Sequence, residues 1–364
     1  MNSMSPKERW LASIKMQPVD RLVYWPKLDA AYPQNQKPPF RDWNNEQLHA
    51  WMGTDPRYGV AKIYKEIHHR AQKEIHNDGH TQRIVYNTPV GVTEQILKFD
   101  PPSVSWHPVE FPIRNQETLK IMIAYYGDLE VDLDREGLEK ARQTYQEVGD
   151  KGIVGTPIGE SPLMHFVEWL AGIENAHYFL NDYQEDVEEL FAAAHRVLVR
   201  ATEIMVEYSP ADLLTMVENT STTLISPAQY RRYSYHHIMD YARISRAAGR
   251  NMELHMCGHL KRLLPMLADM PVEAFEAFTS PTVGNTYLLD GRQACPNVCL
   301  IGGTNAALWL RPLDEIIATI ERSLDELPHH RGIILTSGGV QPPACPPEKI
   351  KAVADWLKTY PLRM

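Results

Sequence analysis

The chain has 364 residues, 43% hydrophobic and 23% charged, with a formal net charge of −9. That supports one large core or two ordinary ones, and the balance is that of a soluble globular enzyme. The acidic surplus excludes a polybasic nucleic-acid surface and attraction to an anionic membrane; no apolar run nears the ~20 residues of a membrane span, and the N-terminus lacks a signal-peptide core, so a cytoplasmic protein is expected.

Apolar runs at 22–25 and 58–63 read as the first strands. Residues 75–113 break the pattern: 83–86, 88–92 and 95–99 alternate like antiparallel strands with turns, which predicts a β insertion within a single domain spanning 1–364. Another strand is expected at 152–155. From 186 to 208 the stripe Val187, Leu190, Phe191, Ala194, Val197, Ala201, Ile204 and Tyr208 predicts a long helix. A strand at 213–217 precedes a helix opened by Ser226 and Pro227 and closed by Gly249. Strands at 252–256, 272–278, 298–302 and 332–336 come next, separated by helices at 260–270 and 312–324, and a last helix covers 346–360. Repeated β-then-α units imply a parallel sheet with right-handed crossovers. Eight such strands predict an α/β chain folded as a (β/α)8 TIM barrel. A doubly wound sheet competes poorly, because no Gly-rich phosphate loop follows the first strand.

The segment Asn251-Met252-Glu253-Leu254-His255-Met256-Cys257-Gly258 carries the clearest chemical signal. Residues i and i+2 of an extended chain share a face, so His255 and Cys257 can approach one ion, and imidazole and thiolate suit zinc. In a barrel, functional groups gather where strands end. Glu276, on the next strand, is therefore a candidate third ligand, with a solvated or ion-paired carboxylate as the alternative. Glu218, at the end of the 213–217 run, is a candidate catalytic residue. His165 follows a Gly/Pro-rich loop and either faces the pocket or packs and caps a helix. Cys345 stands just before a proline-led helix, where the amides and dipole favour thiolate; it reads equally as a metal ligand or an exposed loop thiol. Four cysteines are too few for a disulfide scaffold, and Cys299, inside an apolar run, is expected in the core. The doublets His68-His69, His236-His237 and His329-His330 are poor chelates and are expected at the surface.

Several stretches together resemble the uroporphyrinogen decarboxylase superfamily nearly end to end: Pro6-Lys7-Glu8-Arg9-Trp10-Leu11-Ala12, the run from Gln17 to Pro26, Thr88-Pro89-Val90-Gly91, Ile225-Ser226-Pro227-Ala228-Gln229-Tyr230, Leu254-His255-Met256-Cys257-Gly258 and Pro346-Pro347-Glu348-Lys349-Ile350. The resemblance implies a (β/α)8 barrel. True decarboxylases of the superfamily carry Arg-Gln-Ala-Gly-Arg after the first strand, where this chain has Lys27-Leu28-Asp29-Ala30-Ala31-Tyr32. A polycarboxylate tetrapyrrole needs arginine partners there, so the resemblance is closer to the methyltransferase branch. Zinc ligation by His255, Cys257, Glu276 and Cys345 is what that branch implies. Its closing cysteine, however, usually sits in Gly-Cys-Gly directly after the last strand, and the chain reads Gly338-Gly339-Val340. Cys345 reaches the metal by refolding of the loop, or three ligands suffice, or no zinc binds. The expected activity moves a methyl group from a small methylated substrate, such as a methoxy-aromatic compound, to a corrinoid (cobalamin) on a partner protein, since no Asp-x-His-x-x-Gly corrinoid motif is present. Asp29, His165 and Glu218 are the candidate catalytic residues, and a homodimer is among the expected assemblies. The alternatives are methyl transfer from a methylcorrinoid to a thiol or folate, a metal-free decarboxylase or lyase, and a non-catalytic binding protein.

Overall fold

The computed structural model describes residues 3–29 and 31–364. Eight short strands form one all-parallel sheet: β1 Val23–Tyr24, β2 Arg57–Gly59, β3 Ile153–Glu160, β4 Leu213–Val217, β5 Asn251–His255, β6 Ala274–Phe278, β7 Cys299–Gly303 and β8 Ile333–Thr336. Their order is β1-β8-β7-β6-β5-β4-β3-β2, so the first strand lies beside the last and the sheet curls into a barrel-like shape. The expected ring of ladders is complete except between β1 and β2, which are the two edges of the sheet.

Asp55 bridges that seam. Its N–H donates to the Tyr24 carbonyl at 2.8 Å, and its Oδ2 accepts from the Tyr24 N–H at 3.1 Å. The carboxylate is fully buried and also takes Arg9 Nη1 at 2.6 Å and Arg21 Nη1 at 2.6 Å. One side chain thus supplies both a strand-like contact and the charge that two guanidinium groups require.

Alternation along the strands separates two cores. Val23, Ile153, Leu213, Ala274, Cys299, Ile301 and Ile334 point inward and pack with Trp10 and Ile14. The helix Pro6–Ile14, started by a Ser5–Glu8 capping box and a proline in its first turn, thereby plugs one end of the interior. Burying each such large side chain contributes about 1.5–3 kcal/mol. Leu214, Met216, Leu254, Phe275, Leu300 and Leu335 face outward, against the surrounding helices. The long helix is present as Gln184–Tyr208. The helix begun at Ser226 is interrupted: Pro227–Tyr233 ends at Ser234, and Tyr235–Ala247 continues after it. The break lets the buried Ser234 hydroxyl turn towards Glu218.

Residues between β2 and β3 hold the insertion. Four antiparallel strands, Gln72–Asn77, Thr81–Thr88, Gly91–Asp100 and Ser105–Glu110, form a sheet of their own. Pro89 and Val90 make the turn of its central hairpin rather than part of a strand. Tyr64–Ile67 and Glu130–Leu133 pair separately. No helix among the described residues is long and apolar enough to cross a membrane.

Candidate functional site

Strand register brings His255 and Glu276 together. They are direct partners across β5 and β6, both side chains point inward, and His255 Nδ1 contacts Glu276 Oε2. Glu276 is also paired with the Lys27 ammonium, which reaches in from the segment after β1 and donates to the Gly338 carbonyl at 3.2 Å. Burial works against both charges, yet attraction wins. The Glu276 carboxyl is held below the usual carboxylate range by Lys27 and His255. Burial likewise opposes the His255 cation, but Glu276 and a hydrogen bond with Cys257 raise its pKa to about 9.

Cys257 lies two residues beyond His255, with Sγ 3.4 Å from Asn219 Oδ1. Gly258 allows this loop to lie against the one after β4, because a Cβ there would fall 2.2 Å from the Ser221 Cβ and 2.6 Å from the Thr220 carbonyl. Two backbone positions flanking the site adopt the left-handed region: Asn219 at φ 43° and Ala277 at φ 60°. Ala277 falls where the β6–β7 register shifts, just after Glu276. Such positions persist where the surroundings over-determine them, and they concentrate at functional sites.

One layer deeper, Arg57 from β2 crosses the interior. Its Nη2 is 2.6 Å from Glu253 Oε1 and 2.7 Å from Thr215 Oγ1, and Thr215 also donates to Glu253 at 2.7 Å. Gly155 leaves the space for this guanidinium: a Cβ there would sit 2.8 Å from Nε and Nη2. Above it opens a cleft of about 530 Å³ lined by Trp25, Lys27, Asp29, Arg57, His255 and Glu276, among others.

The remaining expected residues are placed differently. Asp29 lines the cleft, and its carboxylate caps a short helix through the N–H groups of Ala31 and Tyr32 at 3.1 and 3.3 Å. His165 bonds the Tyr126 hydroxyl at 2.9 Å and Glu160 at 3.1 Å. Glu218 follows the inward-facing Val217 and so turns away from the cleft. It is fully buried and accepts from the Ser161 N–H at 3.0 Å and hydroxyl at 2.8 Å, holding the loop after β3. Cys345 belongs to the outer core, its carbonyl bonded to the buried Tyr32 hydroxyl at 2.8 Å. Burial raises its thiol pKa, outweighing the helix terminus that was expected to favour thiolate. Cys299 is in the core as expected. The histidine doublets are not all superficial: His237 and His330 are buried.

Sequence reasoning missed Lys27, Arg57 and Glu253, together with a polar chain across the mouth. Asn219 Nδ2 donates to Glu168 at 3.0 Å. Burial, reinforced by Glu160, raises the Glu168 pKa to about 8. For Glu253 the available signal was a carboxylate in the middle of a predicted strand, as for Glu276 on the neighbouring one.

Burial also raises the Glu218 pKa to about 8, against the lowering effect of its Ser161 hydrogen bonds. Its folded pKa therefore exceeds the unfolded one. The folded chain binds the extra proton, so this group's contribution is fully present below about pH 4.5 and is lost as pH rises towards 8. Glu218→Gln, which stays neutral, should flatten that fall. Thermal unfolding across roughly pH 5–9 checks it, and an unchanged slope would refute the assignment.

His255, Cys257 and Glu276 form a donor set of the kind zinc takes, with room for an exogenous fourth ligand. His255 touches Glu276, and Cys257, two residues beyond it, has its thiol on Asn219. Glu276 Oε1 is buried and, among the described residues, makes no hydrogen bond beyond its ion pair with Lys27. Chemically the three fit. As placed, no group of three or more His, Cys, Asp or Glu side chains among the described residues forms a ready metal cage, and Lys27 is the cation on Glu276.

The sequence model of a family described as Uroporphyrinogen decarboxylase (URO-D) matches residues 138–360. No curated protein matches the chain significantly. Among solved structures, the chain is similar to a methyltransferase from Methanosarcina mazei, at 17% identity and a TM-score of 0.61 over 98% of each chain. A lesser similarity links it to a protein described as a putative vitamin-B12 independent methionine synthase from Listeria monocytogenes, at 13% identity and a TM-score of 0.41 over 60% of this chain and 66% of that one. The first of these likenesses is one of fold.

Proposed function

Because the chain belongs to the uroporphyrinogen decarboxylase family, we propose that its cleft carries out a family-type group transfer: movement of a methyl group from a small methylated substrate to a corrinoid carried by a partner protein. The observation that carries this reading is the meeting of His255 and Glu276 across adjacent strands beside Trp25, with Cys257 two residues beyond His255. Decarboxylation of a tetrapyrrole is less well served. The cleft offers three cations for its carboxylates, Lys27, Arg57 and the protonated His255, and each already faces a glutamate.

Zinc held by His255, Cys257 and Glu276 would supply Lewis acidity towards the leaving heteroatom. The protein's own contribution is positional. Glu276 fixes the His255 ring, Asn219 holds the Cys257 thiol, and Lys27 keeps Glu276 ionised within the interior. Trp25 and Tyr58, which line the cleft, shelter the methyl group from water, which strengthens each of these interactions.

A second reading, a metal-free decarboxylase or lyase reaction, is favoured by one observation: the Lys27 ammonium already neutralises Glu276. Metal analysis of the purified protein, paired with an assay of methylcobalamin formation from reduced free cobalamin and methoxybenzoates, tests the proposal. Zinc near one per chain with methyl transfer supports it. Absence of both would sink it in favour of the metal-free reaction.

A further inference from the structure

We infer that the cleft selects a substrate bearing a carboxylate, anchored by Arg57 against Trp25. The inference rests on the proposed methyl transfer for the chemistry after binding, but not for the binding itself.

The charge that the cleft presents is positive, although its floor is built from ion pairs. Lys27 and Arg57 each keep 13% of the side chain exposed, while their partners Glu276 and Glu253 keep 3% and 0%. Apart from Asp29, whose Oδ1 caps the neighbouring helix, a ligand entering the cleft therefore meets cations, with Glu276 and Glu253 behind them. Arg57 has donors to spare: Nη2 serves Glu253 and Thr215, and Nη1 makes no hydrogen bond among the described residues. A planar guanidinium with a spare N–H edge is suited to a carboxylate. Glu253, Thr215 and the space left at Gly155 hold that edge in place, so little side-chain freedom is lost on binding.

Trp25 narrows the choice further. The Arg57 guanidinium lies 5.1 Å and the Lys27 ammonium 5.2 Å from its ring. Both exploit the electron-rich ring, which leaves it a poor seat for a third cation. A methylated ammonium would also be repelled by its two neighbours. An ether or thioether of an acid meets neither obstacle. The cleft, about 530 Å³, is within the size range of small-molecule pockets.

The test is calorimetric titration of the purified protein with 4-methoxybenzoate, neutral 4-methoxybenzyl alcohol and cationic (4-methoxyphenyl)trimethylammonium. The carboxylate should bind tighter than either by roughly 10-fold or more, the scale of a hydrogen bond to a charged partner. Arg57→Gln should erase that preference. Should this variant fail to fold because Glu253 is left unpaired, Arg57→Gln/Glu253→Gln removes the stranded charge and serves instead. Equal affinity for all three probes, no binding of the carboxylate at millimolar concentration, or a preference that survives loss of Arg57 each overturns the inference. Tight carboxylate binding without methyl transfer would sink the proposed function alone; methyl transfer from a neutral or cationic donor without carboxylate preference would sink this inference alone.

Discussion

Asp55→Ala should lower the unfolding free energy by about 3–5 kcal/mol, the cost of leaving a buried ion-pair partner uncompensated. Arg9, with 4% exposure, would lose its Oδ1 contact, and Arg21 would lose both of its bonds to the carboxylate. The Tyr24 N–H would lose its acceptor at the one place where β1 has no ladder partner on that side. Three deficits arise at one atom pair, so the effect should match that of truncating a large core side chain, about 2–5 kcal/mol. Asp55→Asn keeps the shape and one acceptor oxygen but not the charge, and should cost less. Urea unfolding of the parent and both variants measures the two effects. A loss under about 1 kcal/mol in the alanine variant, the level of a surface ion pair, would show that the seam is held by something else.

The second large effect concerns the site. On the proposed zinc-dependent methyl transfer, His255→Ala and Cys257→Ser should each reduce turnover by roughly 10²- to 10⁴-fold, the order that one positioned acid or base contributes, and each should lower any zinc content. Glu276→Gln should act similarly, because Lys27 and His255 would both lose the carboxylate that faces them. Cys345→Ser provides the contrast. Its thiol lies in the outer core, so turnover per folded molecule and metal content should match the parent while stability falls. Zinc lost from Cys345→Ser but retained in His255→Ala would overturn the ligand assignment.

Much of this arrangement is legible in the sequence, because strand parity is a strict rule. A period of two sets His255 facing inward, and the same alternation sets Glu276 facing inward on the next strand, while Cys257 lies past the strand's end. Parity also explains the misreading of Glu218. Leu213, Thr215 and Val217 are the inward set, so Glu218 had to point the other way, and counting along the run would have shown it. Cys345 belongs to a different case. It stands in a loop with no period, and only tertiary packing decides that its backbone meets Tyr32 while its thiol enters the apolar layer. Arg57 and Lys27 were hidden for another reason. Each is an ordinary charged residue near a short strand, and only closure of the sheet turns them inward, towards glutamates on strands far along the chain. In the insertion, the strand Gln72–Asn77 is exposed at every position, so it carries no hydrophobic alternation to read; pairing with Thr81–Thr88 defines it instead.

The unladdered line between β1 and β2 has a consequence for how the cleft is reached. Trp25 comes directly after one bank of it and Arg57 belongs to the other, so the wall and the anchor of the cleft stand on opposite sides of the edge-to-edge line that, among the described residues, has no strand-to-strand ladder. Spreading those banks breaks no ladder hydrogen bond; the side chain of Asp55, its backbone bond to Tyr24 and the Arg57–Trp25 contact resist it. Admission of a ligand and cohesion of the fold are thus set by the same short segment, and a ligand that bridges Trp25 and Arg57 would act as a clasp across it.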